Sequence, residues 1–259
     1  MDIDGLDDVP GTVSVWYGPV GSAEPWYARH EHVTHYAAST MKIAVLLAAQ
    51  HAHETGRLDL DTPVPVTDRF TSAAGGDFVL ARTRDDDPAV WKRLGHGATL
   101  RWLAERMVVR SSNLATNVVL AHVGLAAADR EWRLAGARHS RIERGIEDAP
   151  ARAAGFTNEV TAADLALLMT AATRADPWVM ATLAATEHRE DLARGLPPRA
   201  RIAHKSGWVT GIRHGAAVVE GEGGCRYLLV VCTTTTLPDG AARALLARVA
   251  AWSFEQAGA

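Results

Sequence analysis

The pattern of hydrophobic and polar positions divides the chain into strand-like ends and a helix-like middle. Alternating and β-branched residues, bounded by glycine and proline turns, predict two strands before residue 31 and three after residue 197. The run Leu228 to Cys232 is apolar without interruption, which is typical of a central strand buried on both faces. The predicted strands cover residues 11–17, 25–30, 201–207, 213–220 and 226–234.

The segments between these strands have helical periodicity. Thr99 and Thr161 precede two of them and are typical N-caps. The predicted helices run from Ser39 to about Gly56 and over residues 100–109, 113–123, 131–134, 162–173 and 239–256, with 174–192 mostly helical.

This order of elements predicts an α/β fold of the α+β type, in which a five-stranded antiparallel sheet is flanked by a terminal helix. Residues 1–57 and 197–259 would form the sheet domain, and residues 58–196 an inserted all-helical domain. We expect the active site in the cleft where the two domains meet.

Composition narrows the class of ligand. A net charge of −3 gives no general attraction to nucleic acid or to anionic membranes. No signal peptide and no apolar run of ~20 residues is visible, and two cysteines do not suggest a disulfide scaffold. We therefore expect a cytoplasmic monomer that binds a small or peptide-like molecule, although a secreted chain trimmed of its leader would have the same pattern.

Ser39 and Lys42 form the first candidate for chemistry. They lie three residues apart at the start of an apolar helix, so that both can occupy one face. A serine hydroxyl needs a base, and a buried lysine can serve because burial disfavours its charged form. The chain has three lysines among 27 basic residues, which favours a need for the amine itself. The alternative is an N-cap serine with a surface lysine.

Two further motifs lie at predicted element boundaries. Ser111 and Asn113, separated by one residue, occupy a turn between helices, where a hydroxyl can relay a proton and an amide can hold a carbonyl; both are also good helix caps. Lys205, Ser206 and Gly207 follow one another on a predicted strand, where the glycine permits a close approach to the backbone. The alternative for Lys205 is a lysine that protects an edge strand.

Together, Ser39-Thr40-Met41-Lys42, Ser111-Ser112-Asn113 and Lys205-Ser206-Gly207 resemble the motifs of the serine penicillin-recognising enzymes, the class A β-lactamases and penicillin-binding transpeptidases. The resemblance implies that Ser39 is the nucleophile and that Lys42 helps to activate it. It implies that Ser111 shuttles a proton and that Asn113 binds the acyl side chain. Lys205 with Ser206 would hold the substrate carboxylate. The backbone N–H groups of Ser39 and Trp208 would form the oxyanion hole.

The chain departs from this family at the residues that would complete the reaction. Ile146 aligns with the family's deacylating glutamate, and Glu147 or Asp148 could reach the water if the loop carries a short deletion. If neither does, we expect deacylation to be slow or to use another group. The alternative for these acids is salt bridging with Arg141, Arg144 or Arg152. Ser112 stands where an aspartate is usual.

Either Arg213 or His214 could bind the substrate carboxylate, and strand alternation allows one of them to face the cleft. The pairs His30-x-His32 and His51-x-His53 lack a nearby cysteine or a carboxylate at ligand spacing, so we expect no metal and no cofactor.

The favoured hypothesis is an active-site serine hydrolase that opens β-lactams or related amides and esters through an acyl-serine intermediate. The alternatives are a cytoplasmic biosynthetic esterase or transacylase on the same fold, and a non-catalytic ligand-binding homologue.

Overall fold

A computed structural model describes residue 3 and residues 5–258 of the chain. The outer limits predicted for the sheet domain, residues 1 and 259, lie outside the described residues. The strands are β1 (Gly11–Pro19), β2 (Tyr27–Arg29), β3 (His35–Tyr36), β4 (Pro63–Pro65), β5 (Arg69–Thr71), β6 (Asp77–Val79), β7 (Gly97–Thr99), β8 (Arg141–Ile142), β9 (Asn158–Val160), β10 (Arg201–Val209), β11 (Ile212–Glu220) and β12 (Arg226–Thr235). The helices are α1 (Lys42–Glu54), α2 (Pro88–Trp91), α3 (Leu100–Val109), α4 (Asn113–Val123), α5 (Leu125–Leu134), α6 (Ala149–Ala153), α7 (Ala162–Arg174), α8 (Pro177–Ala184), α9 (Leu192–Gly195) and α10 (Asp239–Gln256).

The predicted five-stranded antiparallel sheet is confirmed in the described part of the chain, with the order β10-β11-β12-β1-β2. Strand β12 is central, as its apolar run predicts. Its side chains alternate between two cores: Leu228, Val230 and Cys232 face the helices of the middle region. Tyr227 and Leu229 face the side that the terminal helix α10 covers. Burial on both faces explains why this strand has no polar alternation.

Helix α1 lies at the centre of the helical region and packs against α3, α4, α5 and α7. Because it has neighbours on all sides, 10 of its 13 residues are buried, including Lys42 at its first turn. A helix surrounded in this way is apolar around its whole circumference. The consequence for the site is that the lysine beside the candidate nucleophile is removed from water.

The segment 58–196 is not all helical, which corrects the prediction. Strands β4 to β9, each of two or three residues, lie in or beside it, and β8 and β9 join β3 in a small sheet. Strands this short carry too few positions for a period of two to be visible in the sequence. The small sheet holds Tyr36 next to Glu159, which places the start of the nucleophile turn against the loop that follows β8. The division into two domains stays a prediction. Among the described residues, none of the helices combines the length and apolar character needed to cross a membrane.

Candidate active site

Ser39 lies in a 3₁₀ turn that leads directly into α1. The preceding residue, Ala38, has φ of 46°, a left-handed conformation that is uncommon outside glycine and that turns the chain sharply at this point. Thr40 Oγ1 donates to the carbonyl of Ala37 at 2.6 Å and closes the turn. On the strand side, a Cβ at Gly207 would lie 2.9 Å from the Ser39 backbone nitrogen, so that a glycine is required for β10 to approach the nucleophile this closely.

Lys42 is fully buried and points to the turn between α3 and α4. Its Nζ donates to the Ser111 carbonyl at 2.7 Å, to Ser111 Oγ at 3.2 Å and to Asn113 Oδ1 at 2.9 Å. Burial lowers the pKa of Lys42 to about 7, while nearby carboxylates, Asp85 foremost, act in the opposite direction. Within the described residues the Ser39 hydroxyl makes no hydrogen bond to Lys42, although the two share one turn. An amine that loses its proton near neutral pH is suited to act as a base.

Ser111 joins the two buried lysines. Its Oγ accepts from Lys42 at 3.2 Å and from Lys205 at 3.1 Å, and Lys205 also donates to the carbonyl of Ser206 at 2.8 Å. Burial, and then the positive charge of Lys42, lower the pKa of Lys205 well below its ordinary value. A hydroxyl oxygen that accepts two hydrogen bonds keeps its own proton available for donation. The φ of 55° at Ser111 holds this geometry in place.

The turn that carries Asn113 is braced by the charged segment that precedes α2. Asp85 Oδ2 accepts from Ser112 Oγ at 3.0 Å and from the Leu114 backbone N–H at 2.7 Å. Asn113 Nδ2 donates to the carbonyl of Arg84 at 2.8 Å. The run of residues 82–88 reads in the sequence as a solvated loop, and five of its seven residues are exposed. Asp85 and Asp87 are the exceptions, because Asp85 accepts from Ser112 and Leu114 and Asp87 caps α2 and pairs with Arg106. The available signal was Asp87 directly before Pro88, a typical helix start.

Glu147 lies in the loop that borders the cleft. It lines the same cleft as Ser39 and has φ of 58°. The preceding residue, Ile146, is held on both sides of its backbone, since Asn117 Oδ1 accepts from its N–H and Asn117 Nδ2 donates to its carbonyl, both at 2.9 Å. Burial raises the pKa of Glu147, and Arg84 opposes this effect. Sequence reasoning missed Asn117, which lies one helical turn after Asn113 on the same helix.

Asp148 borders the cleft, but its carboxylate already has other partners, which corrects that alternative. Its carboxylate accepts from Ser72 Oγ at 2.7 Å, from Ala73 N–H at 2.9 Å and from Ala151 N–H at 3.1 Å. It is buried and caps the start of α6. These contacts also fasten the β5–β6 hairpin to the loop that carries Glu147.

The predicted salt bridges of Glu147 and Asp148 with Arg141, Arg144 or Arg152 are absent from the described residues. Arg141 pairs with Glu143 at 3.5 Å and with Glu159 at 2.8 Å. Arg144 donates to the Tyr36 hydroxyl at 3.0 Å, to the Gly145 carbonyl at 3.3 Å and to the Phe156 carbonyl, after α6, at 3.2 Å. The arginines therefore fix the loop, and Glu147 is left for the cleft.

Arg213 was a candidate for binding the substrate carboxylate, and the structure corrects this. Its guanidinium is buried between Asp191, at 2.7 and 3.2 Å, and Asp239, at 2.6 Å. It also stacks on Trp208, with 5.2 Å between the guanidinium carbon and the ring centre. Two carboxylates already occupy the donors that a substrate would need.

His214 is likewise committed to the protein. Its Nε2 donates to the Tyr36 carbonyl at 2.9 Å, and its Nδ1 accepts from the Thr233 N–H at 3.1 Å. Burial lowers its pKa to about 4, which agrees with the neutral tautomer that these two partners require. Neither Arg213 nor His214 lines the cleft. Strand alternation predicted that one of the two side chains faces the cleft, but both are buried.

The cleft has a volume of about 950 Å³ and opens beside Ser39, Asn113, Glu147 and Trp208. A volume of this size is within the usual range of small-molecule sites. Lys205 and Ser206 lie behind this wall, and Ser206 Oγ is buried without a partner among the described residues. The described part of the chain contains no group of three or more His, Cys, Asp or Glu side chains placed to hold a metal ion.

The chain is similar to known proteins along nearly its whole length. A family model described as "Beta-lactamase enzyme family" matches residues 3–255. The fold is similar to that of a beta-lactamase from Sphaerobacter thermophilus, with a TM-score of 0.82 and 20% identity over 99% of this chain and 95% of that one. A beta lactamase from Xanthomonas campestris has a TM-score of 0.82 and 20% identity, covering 98% of this chain and 94% of that one. PBP-A has a TM-score of 0.77 and 20% identity over 97% and 94%. At this identity the solved structures show the fold alone, and no curated protein matches the chain.

Proposed function

The chain belongs to the beta-lactamase enzyme family, and from that premise we propose that it hydrolyses an amide or ester, β-lactams included, through an acyl-serine intermediate. Its fold is that of the class A β-lactamases. The observation that carries the proposal is the meeting of two buried lysine amines at Ser111 Oγ, beside the turn of Ser39. Two buried lysines would destabilise a protein without a use for them.

Acylation would proceed by attack of Ser39 Oγ on the carbonyl carbon of the substrate. The neutral amine of Lys42 accepts the hydroxyl proton as the new C–O bond forms. The negative charge that develops on the carbonyl oxygen meets the backbone N–H groups of Ser39 and Trp208. Ser111 gives its proton to the leaving nitrogen or oxygen as the scissile bond breaks, and recovers one from Lys42. Lys205, which lies behind the cleft wall, would act on the substrate through Ser111 Oγ, to which its amine donates.

Deacylation would use Glu147. Its carboxylate takes a proton from water as the water oxygen attacks the acyl carbon, and the bond to Ser39 Oγ then breaks with return of a proton to the serine. Support comes from the position of Glu147 in the cleft and from the commitment of Asp148 to other partners. A raised pKa also suits a group that must accept a proton.

The test is incubation with a chromogenic cephalosporin, with intact-mass spectrometry and peptide mapping to locate an adduct. We expect an acyl adduct on Ser39 that Ser39→Ala abolishes. Glu147→Gln should still be acylated, and its adduct should decay on the order of 100-fold more slowly. Absence of both turnover and adduct across several β-lactam and ester donors would refute the proposal, and unchanged decay in Glu147→Gln would refute the role of Glu147.

A second candidate is a biosynthetic esterase or transacylase that passes the acyl group to an acceptor other than water. It is favoured by Ile146, which stands where a class A enzyme would have its glutamate and is fixed in the loop by Asn117. Fast acylation, slow hydrolysis and acceleration by added amines would support it, and efficient β-lactam turnover would count against it. A non-catalytic role fits less well, because the buried amines have pKa values lowered toward those of useful bases. The cytoplasmic location and the monomeric state remain predictions.

A further inference from the structure

A second cavity, with a volume of about 430 Å³, lies against the C-terminal half of α1. It is enclosed by α1, α5, α7 and residues 21–23 after β1, and it shares no lining residue with the cleft beside Ser39. On α1 the residues that line it are Leu47, Gln50, His51 and Glu54. Their spacing of three and four residues places them on one face of the helix. Lys42, five residues before Leu47, is turned ~140° away from that face, because each residue of a helix rotates by ~100°. The cavity is therefore separate from the catalytic cleft.

Two buried polar side chains at this cavity lack partners. Gln50 is 4% exposed and Thr170 is 8% exposed, and both line the cavity. Neither Gln50 Nε2 nor Thr170 Oγ1 has a hydrogen-bond partner among the described residues. A buried polar group left unpaired destabilises the fold, so that each such group calls for an explanation. The Gln50 amide can turn toward a ligand, since the last torsion of a glutamine has a broad minimum. A ligand with hydrogen-bond acceptors would supply what these groups lack.

Two charges of opposite sign flank the same cavity. Glu54 on α1 and Arg174 on α7 are exposed and line it, and in the described part of the chain neither is paired with an opposite charge. A third charge lies deeper, because Glu131 is buried and its carboxylate accepts from His51 Nδ1 at 3.0 Å. The two carboxylates attract an ammonium group, while a guanidinium binds a carboxylate through two parallel donors. The charges therefore favour a zwitterion over a simple anion or cation.

The remaining wall is apolar. Leu47, Leu134 and Leu167 line the cavity, and Leu134 is 52% exposed although it stands beside a concavity. An exposed leucine next to unpaired polar groups is typical of a ligand surface more than of a solvated helix face. The volume lies in the lower part of the range of small-molecule sites, so the ligand must be small.

We propose that this cavity binds a short peptide of about dipeptide size with apolar side chains. Such a molecule combines an ammonium group, a carboxylate and an uncharged carbonyl. Its ammonium group would lie near Glu54 and Glu131, and its carboxylate near Arg174. The peptide carbonyl would accept from Gln50. The site goes beyond the proposed hydrolase activity and does not depend on it.

The test is a titration of the ¹⁵N-labelled protein with alanyl-leucine, followed by amide NMR spectra, which give both the Kd and the location. We expect saturable shifts of the amide signals of Ser22, Ala135 and Ala171, with a Kd on the order of 1 mM or tighter for so small a ligand. The signals of Ser39 and Trp208 should not move. N-acetyl-alanyl-leucine, which lacks the ammonium group, and alanyl-leucinamide, which lacks the carboxylate, should each bind about fivefold more weakly or worse.

Variants of the lining residues test the individual contacts. Gln50→Met and Thr170→Val keep the approximate size of the side chain, and each should raise the Kd about fivefold. Neither should lower the urea midpoint, because each removes a buried polar group that has no partner. Arg174→Ala should also raise the Kd about fivefold. Arg130→Ala removes an exposed arginine of α5 that does not line the cavity, and it should leave the Kd unchanged.

Three results would overturn the inference: no saturable shift up to about 20 mM peptide, shifts confined to the cleft of Ser39, or a Kd that Gln50→Met and Arg174→Ala both leave unchanged. The titration requires no acylation. A protein that binds the peptide here but never forms an adduct on Ser39 would thus refute the proposed function alone, and an active hydrolase without peptide binding would refute this inference alone.

Discussion

Replacement of Lys42 by methionine should abolish acylation of Ser39 and should also make the protein more stable near neutral pH. The amine is fully buried, and burial lowers its pKa from 10.5 to about 7. A lysine whose pKa is lower in the folded state than in the unfolded state destabilises the fold. Methionine has a similar length and no charge, so it fills the space without this disadvantage.

The size of the effect follows from two opposing contributions. A pKa of about 7 instead of 10.5 corresponds to roughly 5 kcal/mol, at ~1.4 kcal/mol for each tenfold change in proton affinity. Methionine cannot donate to the Ser111 carbonyl or to Asn113 Oδ1, and each buried acceptor left without a donor costs roughly 1–2 kcal/mol. The net gain in the free energy of unfolding for Lys42→Met is then roughly 1–3 kcal/mol at pH 7.

The pH dependence gives a sharper check. Below pH 7 the amine is protonated in both states, and the full destabilisation is present. Between pH 7 and 10.5 the folded protein releases its proton first, and the destabilisation declines with each pH unit until it vanishes. The stability advantage of Lys42→Met over the parent should therefore shrink as the pH rises from 7 to 10.

Urea denaturation of both proteins at several pH values measures this difference. Lys92→Met is the matched control, because Lys92 is exposed and its replacement should change stability by less than ~0.5 kcal/mol. A Lys42→Met protein that is less stable than the parent at pH 7, or whose stability difference does not vary with pH, would refute the account of Lys42 as a buried, neutralised amine.

Three further predictions concern the surroundings of the nucleophile. Gly207→Ala should slow adduct formation by about 100-fold, because the added Cβ would lie 2.9 Å from the backbone nitrogen of Ser39. Gly240→Ala is the control and should leave the rate of adduct formation unchanged, because no atom lies within 4 Å of a Cβ at that position. The acylation rate of the parent should fall about tenfold per pH unit below pH 7, as Lys42 becomes protonated, in stopped-flow measurements; a flat profile from pH 5 to 8 would exclude Lys42 as the base. Asp191→Asn should lower the free energy of unfolding by about 3 kcal/mol, because it leaves the buried Arg213 with one carboxylate partner, Asp239. Urea titration measures this change, and a decrease of less than ~1 kcal/mol would contradict the prediction.

Elements with long, regular patterns could be predicted from the sequence. Strand β12 and helix α1 are both buried, and their apolar residues are numerous enough to reveal their type and approximate bounds. The short strands β4 to β9 could not be predicted, because two or three residues carry no periodic signal. Several of them also pair with segments distant in sequence, as β9 does with β3.

The same distinction applies to the site. Ser39 and Lys42 are local in sequence, and each motif contains the residue types that its proposed role requires. The positions of Arg213, His214 and Asp148 depend on partners 19 to 178 residues away, such as Asp191, the Tyr36 carbonyl and Ser72. A short motif contains no information about such partners. The residue types alone therefore could not decide whether Arg213 or His214 binds the substrate carboxylate.

Asp85 shows how a motif can change in sequence while its physical arrangement is retained. The second motif has Ser112 where an aspartate is usual, and the sequence alone makes this a lost carboxylate. In the structure a carboxylate reaches the same turn from another segment, since Asp85 accepts from Ser112 Oγ and from the Leu114 N–H. The same group raises the pKa of Lys42 against the effect of burial. The carboxylate thus braces the turn that positions Asn113 and adjusts the proton affinity of the candidate base, and for both purposes its position in space matters while its position in the sequence does not.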